Sequence, residues 1–295
     1  MRIVVLGANG QLGSRILARL LQEYPQAQVV GCVREKSIAS VKGNAGFLQH
    51  LLPFNPFRDD WAALGKVDVL INCIGIIRET ASLSFEQAHL GLTKLMLQHR
   101  EQLGNPKLIQ LSALGADPQS PSGFLRTKGQ ADALLLTQRA TVVVRPSIVC
   151  TPGTMLSRKL QLVKKLCRFT GGLLLFPEQF LETKLQPVAV ADLTALVSQL
   201  CLQREHPAVV EVAGKERYTL RQLLELVPTC RNILPLPQAL FRMFSPLLYR
   251  LFPALIDKEQ AVLLQHDNIA ETDACEKILG RPMASTLPFW QQELA

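Results

Sequence analysis

The chain has three tyrosines among its 295 residues. Tyr24, Tyr218 and Tyr249 are its whole supply of phenolic proton donors, so a reaction needing a positioned Tyr hydroxyl must use one of them. Cysteine is present seven times, but the residues are odd in number, lie far apart and include no C-x-x-C pair. That pattern excludes a disulfide framework and a zinc site, and the cysteines read as small buried hydrophobes in a reducing compartment. No metal site is expected. No uninterrupted apolar run reaches the length of a membrane span. There is no Lys/Arg block interleaved with aromatics and no helix-turn-helix or zinc-finger spacing, so no nucleic-acid partner is expected. "MRIVVLGANG" enters a strand-and-turn pattern without an apolar h-region and cleavage site. The expectation is a cytoplasmic protein with no secretory signal.

What is present is a chain with 48% hydrophobic residues, enough for a sizeable core, and a formal charge of +8 that suits an anionic partner. Nearly continuous apolar stretches recur at 2–7, 27–33, 46–53, 67–75, 107–115 and 140–149, as parallel strands buried on both faces should. Helical patterns alternate with them. Residues 14 to 24 place Ile16, Leu17, Leu20, Leu21 and Tyr24 on one face, and residues 83 to 101 do the same with Phe85, Leu92 and Leu95. The alternation predicts right-handed βαβ crossovers and an α/β doubly wound parallel sheet. After residue 150 the rhythm changes. A helix is expected at 154–168, then a Gly-Gly break, a helix capped by Asp192, one more strand at 208–214, and a Thr219/Gln222 capping box. The division expected is a dinucleotide-binding core over 1–150. Residues 151–295 would complete the sheet and form a small, mostly helical lobe.

The motif that binds a ligand is "LGANGQLGSRIL". Gly7, Gly10 and Gly13, with Ala8, Asn9, Gln11 and Leu12 between them, follow the first strand and open the first helix. The glycines serve a tight turn, close approach to a pyrophosphate and tight helix-on-strand packing, and the helix N-terminus offers N–H groups to the phosphates. About 20 residues on, where an acid would accept from the ribose hydroxyls of NAD, the sequence reads "GCVREK". A guanidinium at Arg34 suits the extra phosphate of NADP, which is the favoured cofactor. Glu35 turning inward keeps NAD open.

These glycines, "NCIG" at 72–75, Ser112, an aromatic four residues before Lys128 and "VVVRPSIV" together resemble the short-chain dehydrogenase/reductase superfamily. The longer stretches "INCIGIIRET", "SFEQAHLGLTK", "LSALGADPQSPSGFLRTKGQAD", "QPVAVADLTALV" and "IDKEQAVLLQHDNI" are similar to its atypical members. Those members are related to the Rossmann-type accessory subunit of respiratory complex I and, more loosely, to NmrA-like proteins. The resemblance implies that Asn72 and Gly75 lie along the dinucleotide, that Pro146 and Ser147 lie near the nicotinamide, and that Lys128 holds the nicotinamide ribose. It also implies that Ser112 steadies a substrate carbonyl and that His89 stands where many members carry a water-organising Asn. Lys128, Ser112 and His89 are therefore the candidate catalytic residues. Each has a bland alternative: a strand-end cap for Ser112, a helix-interior residue for His89, a solvated helix residue for Lys128.

The departure is Phe124, at the position of the superfamily's catalytic Tyr. Phenylalanine cannot deliver the proton that a developing alkoxide needs. The leading expectation is a cofactor-stabilised accessory or regulatory protein that binds NADP(H) with little turnover. The alternative is an NADPH-dependent reductase of a carbonyl or quinone using Lys128, His89 or water as donor. A sugar-nucleotide epimerase or dehydratase needs the same Tyr and ranks lower. The segment "LPLPQALFRMFSPLLYRLFPALI", residues 234 to 256, is apolar with Arg242 and Arg250. Its prolines and charges argue against spanning, and it reads as a helical cap on the core or as a contact for a protein partner or membrane surface.

Overall fold

The computed structural model describes residues 1–38, 45–251 and 258–294. The chain begins with β1 (Arg2–Leu6), α1 (Gln11–Glu23), β2 (Gln28–Val33), α2 (Glu35–Ile38), β3 (Leu51–Pro53) and β4 (Val69–Asn72). A wide π turn, Gln87–Gly91, then runs into α3 (Leu92–Gln98), followed by β5 (Lys107–Leu111), α4 (Gly123–Leu135) and β6 (Thr141–Pro146). Beyond it come β7 (Val149–Cys150), α5 (Met155–Phe169), β8 (Leu173–Pro177), α6 (Glu178–Leu181), β9 (Lys184–Leu185), β10 (Val188–Ala189) and α7 (Val190–Leu202). The rest is β11 (Val209–Val212), β12 (Tyr218–Thr219), α8 (Leu220–Glu225), β13 (Asn232–Leu236), α9 (Gln238–Leu251), α10 (Lys258–Leu263), α11 (Asp273–Leu279) and α12 (Leu287–Leu294).

Seven strands form one sheet in the order β11-β6-β5-β4-β1-β2-β3. The pairings from β3 to β6 are all parallel. The strand order reverses between β1 and β4, where Leu6 sits opposite Asn72. That reversal opens a crevice at the carboxyl ends of the two strands, the ligand site of a doubly wound sheet. The sheet is buried as the apolar runs required: Val4, Leu6, Leu70, Leu108 and Val143 pack in one cluster with Trp61.

By contacts the chain divides into two compact units. One holds Met1–Pro146 with Ala191–Glu211 and Lys277–Gly280; the other holds Ser147–Val190, Val212–Glu276 and Arg281–Ala295. The second unit has its own core, in which Leu160, Leu174, Phe180, Leu223 and Trp290 are buried. Phe180 meets Phe241 edge to face at 5.6 Å.

Three local expectations are corrected. Residues 46–53 do not form one strand: 45–50 make a tight helical turn, and only Leu51–Pro53 pair, with Gly31, Cys32 and Val33. Pro53 is tolerated because β3 is the edge strand of the sheet, and one further bond follows it, from the Phe54 N–H to the Val33 carbonyl at 2.8 Å. The helix expected to reach residue 101 ends at Gln98, and its start is the wide turn centred on His89. Asp192 does not cap α7; it lies inside the first turn and is fully buried. The Thr219/Gln222 box is formed as read, with both reciprocal bonds present, and 208–214 contains β11.

Gly13 sets how closely α1 lies on β1. A Cβ there would stand 2.2 Å from the Gly7 carbonyl oxygen, a distance no side chain tolerates. Gly13→Ala is therefore expected to lower stability by about 2 kcal/mol or more through forced displacement of the helix, read as a reduced urea midpoint at unchanged slope.

Candidate functional site

The glycine loop is held by its own backbone. Gly7 takes φ +76°, a left-handed conformation, and Gly7 and Ala8 both donate to the Cys32 carbonyl at 3.1 Å. Gly10, in extended conformation before α1, has no side chain to cap the helix, and the first turn carries no acid. Its backbone would accept a Cβ, which would meet only the Gly7 oxygen at 3.2 Å. The missing side chain at Gly10 thus leaves room for an outside group at the head of a 13-residue helix. Arg34 follows β2 directly and is exposed, and Glu35, which opens α2, is exposed beside it.

At the end of β4, Asn72 is wholly buried and turned inward. Its amide nitrogen donates to Gln110 Oε1 at 2.9 Å, and its Oδ1 accepts from the Ile74 N–H at 2.9 Å. Asn72 therefore shapes the turn and does not project from it. Gly75, two residues beyond Cys73, is exposed, and a Cβ built on it would lie 3.2 Å from Lys128 Nζ and 3.8 Å from His89 Nε2. Gly75, Lys128 and His89 thus converge under the crevice.

Lys128 comes from α4. That helix is capped by Ser122 and pressed onto the loop after β5, where a Cβ at Gly129 would stand 2.3 Å from Asp117. The Lys128 ammonium donates to the Leu111 carbonyl at 2.7 Å and is 4% exposed, so the solvated alternative is set aside. Burial lowers its pKa from 10.5 to about 8, against the pull of Asp132.

Four residues on, Asp132 is fully buried. Its Oδ2 accepts from Ser112 Oγ at 2.8 Å and from Arg145 Nε at 2.9 Å. Burial outweighs these contacts and the field of Lys128, and holds the carboxyl above the usual range. Ser112 thus spends its proton on a carboxylate inside the fold. Asp132 and Arg145 escaped the sequence reading, although Lys128 and Asp132 share the i, i+4 spacing that puts them on one face of α4.

His89 is wholly buried, with its ring between Phe85, stacked at 5.7 Å, and Phe124, edge-on at 5.6 Å. Its Nε2 lies 3.4 Å from the Ile76 N–H and its Nδ1 2.8 Å from Thr127 Oγ1; that hydroxyl donates in turn to the Gly123 carbonyl at 2.9 Å. These partners select the neutral imidazole with its proton on Nδ1. Burial, with Lys128 nearby, pushes its pKa down to about 3. Phe124, half-buried, presents to His89 a ring with no polar edge. Tyr24 is at the far end of α1, donating to the Ser198 carbonyl at 2.9 Å. Tyr218 packs on the second unit's core, and the side chain of Tyr249 lies outside the described residues.

Pro146 ends β6, its carbonyl accepting from the Leu114 N–H. Ser147 belongs to the second unit, where its hydroxyl donates to Asn268 Oδ1 at 2.5 Å. A cavity of about 350 Å³ lined by Arg2, Gln28, His50 and Leu52 opens at the other end of the sheet, at the starts of the strands, away from these groups. Among the described residues no three His, Cys, Asp or Glu gather as a metal site, and no helix is long and apolar enough to cross a membrane.

No family model matches the chain. It is 32% identical over 236 residues, 76% of its length, to NADH dehydrogenase [ubiquinone] 1 alpha subcomplex subunit 9, mitochondrial, of Arabidopsis thaliana. It is 27% identical over 231 residues, again 76% of its length, to the NADH-ubiquinone oxidoreductase 40 kDa subunit, mitochondrial, of Neurospora crassa. The chain spans 56% and 58% of these curated relatives. In fold it is similar to the NADPH-dependent quinone oxidoreductase of Escherichia coli, with a TM-score of 0.73, 17% identity, and coverage of 99% of this chain and 98% of that one. The chain thus resembles these two NADH dehydrogenase subunits in sequence, and its fold is the doubly wound, Rossmann-like fold of the solved structure.

Two outcomes follow from the buried bases. His89 gains a proton on unfolding below its ordinary pKa. Stability should hold above pH 6.5 and fall by up to about 1.4 kcal/mol per pH unit as pH drops toward 3. His89→Gln should flatten that slope in urea titrations. Burying charged Lys128 opposes folding below pH 8, and the opposition fades as pH rises to 10.5. Lys128→Met should therefore lose the gain in stability that Lys128 gives the parent between pH 8 and 10.5, read in urea titrations across that range.

Proposed function

We propose that the chain is a NADP(H)-binding accessory protein with little or no turnover, in which the dinucleotide stabilises the fold and the loaded protein docks on a membrane-associated respiratory assembly. One observation carries this reading. The turn through Gly7, Ala8 and Gly13, with room at Gly10, suits the pyrophosphate of a dinucleotide, while the position where the family resemblance would put the proton donor holds Phe124, packed against a neutral His89. When bound, the cofactor would supply hydride chemistry. Gly7 to Gly13 would hold its pyrophosphate, and Arg34 the phosphate that distinguishes NADP from NAD. Gly75 and Lys128 would line its nicotinamide end. The names of the relatives, both subunits of NADH-ubiquinone oxidoreductases, support the docking role.

A second reading, a slow NADPH-dependent reductase of a quinone or aldehyde, is favoured by Lys128. Its pKa near 8 leaves a fraction deprotonated at neutral pH and the remainder able to donate. Ser112 is unfit for a carbonyl contact while it donates to Asp132, and His89 at about 3 holds no spare proton at neutral pH.

NADPH is expected to raise the melting temperature more than NADH does. Gly10→Val should fold, since only the Gly7 oxygen crowds that position, and should lose the shift. Equal melting with and without nucleotide in the parent protein overturns the reading. Phe124→Tyr should raise NADPH oxidation with quinones or enones from near zero only if the reductase chemistry is latent, and Lys128→Ala should remove it. Equal, negligible rates in all three proteins favour the accessory role.

A further inference from the structure

The second unit carries a two-stranded parallel sheet, β8 with β13, that is apolar on both faces. Leu174 of β8 and Ile233, its partner on β13, turn to the core, as do Phe176 and Leu236. The alternate residues turn outward. Leu175, paired with Leu234 across the sheet, is 58% exposed, and Leu173 and Leu234 are exposed with it. A strand with one wet face normally alternates apolar and polar residues, and this one does not. The turn leading into β8 adds Phe169, 91% exposed at the end of α5, with Leu166 one helical turn earlier. The chain leaving β13 enters α9, where Leu240, Met243 and Phe244 are exposed while Phe241 is buried on Phe180. Residues 252–256 of the 234–256 segment lie outside the described residues.

The charge on these two stretches is of one sign. Residues 151–177 hold Arg158, Lys159, Lys164, Lys165 and Arg168, and residues 226–256 hold Arg231, Arg242 and Arg250; neither stretch contains an Asp or Glu. Those eight cations equal the whole formal charge of +8, and the rest of the chain balances at 24 basic and 24 acidic residues. Lys165 and Arg168 are exposed beside Phe169, and the Arg231 stem packs on Gly172, between Phe169 and Leu173.

We propose that this face, the outer side of β8–β13 with the end of α5, rests on an anionic lipid bilayer. Phe169, Leu173, Leu175 and Leu234 enter the headgroup boundary while the cations pair with lipid phosphates. Exposed apolar side chains flanked by basic residues are the composition of an interfacial contact, and Glu178, the acid that follows β8, has one carboxylate oxygen engaged by the Gln238 N–H at the head of α9. A second copy of the chain would bring two like-charged faces together, which opposes self-association there. The assignment names the surface that the accessory reading leaves open. It does not use the nucleotide site, so it and that reading fail independently.

The test is co-sedimentation of the full chain with vesicles of phosphatidylcholine and phosphatidylglycerol, against vesicles of phosphatidylcholine alone. Binding is expected to the anionic vesicles only and to weaken with salt. It should fall at least about tenfold in Lys165→Glu/Arg168→Glu and in Leu175→Glu, since each basic residue at such a surface contributes about 1 kcal/mol. These positions are exposed, so urea midpoints should match the parent and show that the variants are folded. Binding to neither vesicle, equal binding to both, or undiminished binding by the variants overturns the proposal. A dimer in gel filtration that Leu175→Glu dissociates gives the face to a second copy. Retention on polyglutamate without vesicle binding gives it to an acidic protein.

Discussion

Helix α4 is fastened to the sheet by two buried groups of opposite charge, four residues apart. Lys128 binds the Leu111 carbonyl, and Asp132 gathers Ser112 from the loop after β5 and Arg145 from β6. Neither group is comfortable: burial lowers the base and raises the acid. Such a pair adds little net stability compared with apolar residues of the same volume, but it permits few alternative placements of the helix. Everything near the crevice follows from that placement. Gly129 lies against Asp117 with no room for a methyl, Thr127 meets His89, and Phe124 closes over the imidazole.

The same fastening decides which chemistry is available. In the proposed reading the lysine under Gly75 would hold a nicotinamide ribose, and its lowered pKa lets it share a proton near neutrality. The other two candidates are committed to the fold. Ser112 serves Asp132, and His89 is held neutral by the Ile76 N–H and Thr127 inside an aromatic wall. A cofactor-stabilised protein needs the lysine and the glycine loop, whereas an efficient reductase also needs a hydroxyl where Phe124 stands.

Away from the crevice, the second unit presents a different physical problem. The outward leucines of β8 and β13 are exposed, and basic residues outnumber acids around them in sequence. The glycine loop and this face lie in separate compact units, so a ligand at the one and docking at the other would draw on different residues.

By itself the sequence determined the doubly wound sheet, because strands buried on both faces need long apolar runs and short crossovers. It determined the glycine loop, because only glycine permits φ +76° at Gly7 and the close approach at Gly13. It also determined that residue 124 carries no hydroxyl, which is a matter of residue identity. Tertiary structure decided the rest. Asp132 and Arg145 lie 13 residues apart, and only packing of α4 on β6 makes them partners. Ser112 and His89 read as chemistry because hydroxyls and imidazoles are reactive in isolation; Asp132 and Thr127 from α4, with the Ile76 N–H after β4, remove that freedom. The run "LLLFP" after the Gly-Gly break does not itself say which of its faces is covered, since periodicity records apolar character and not which face another layer covers. Pairing with β13 at the margin of the second unit leaves one of those faces bare.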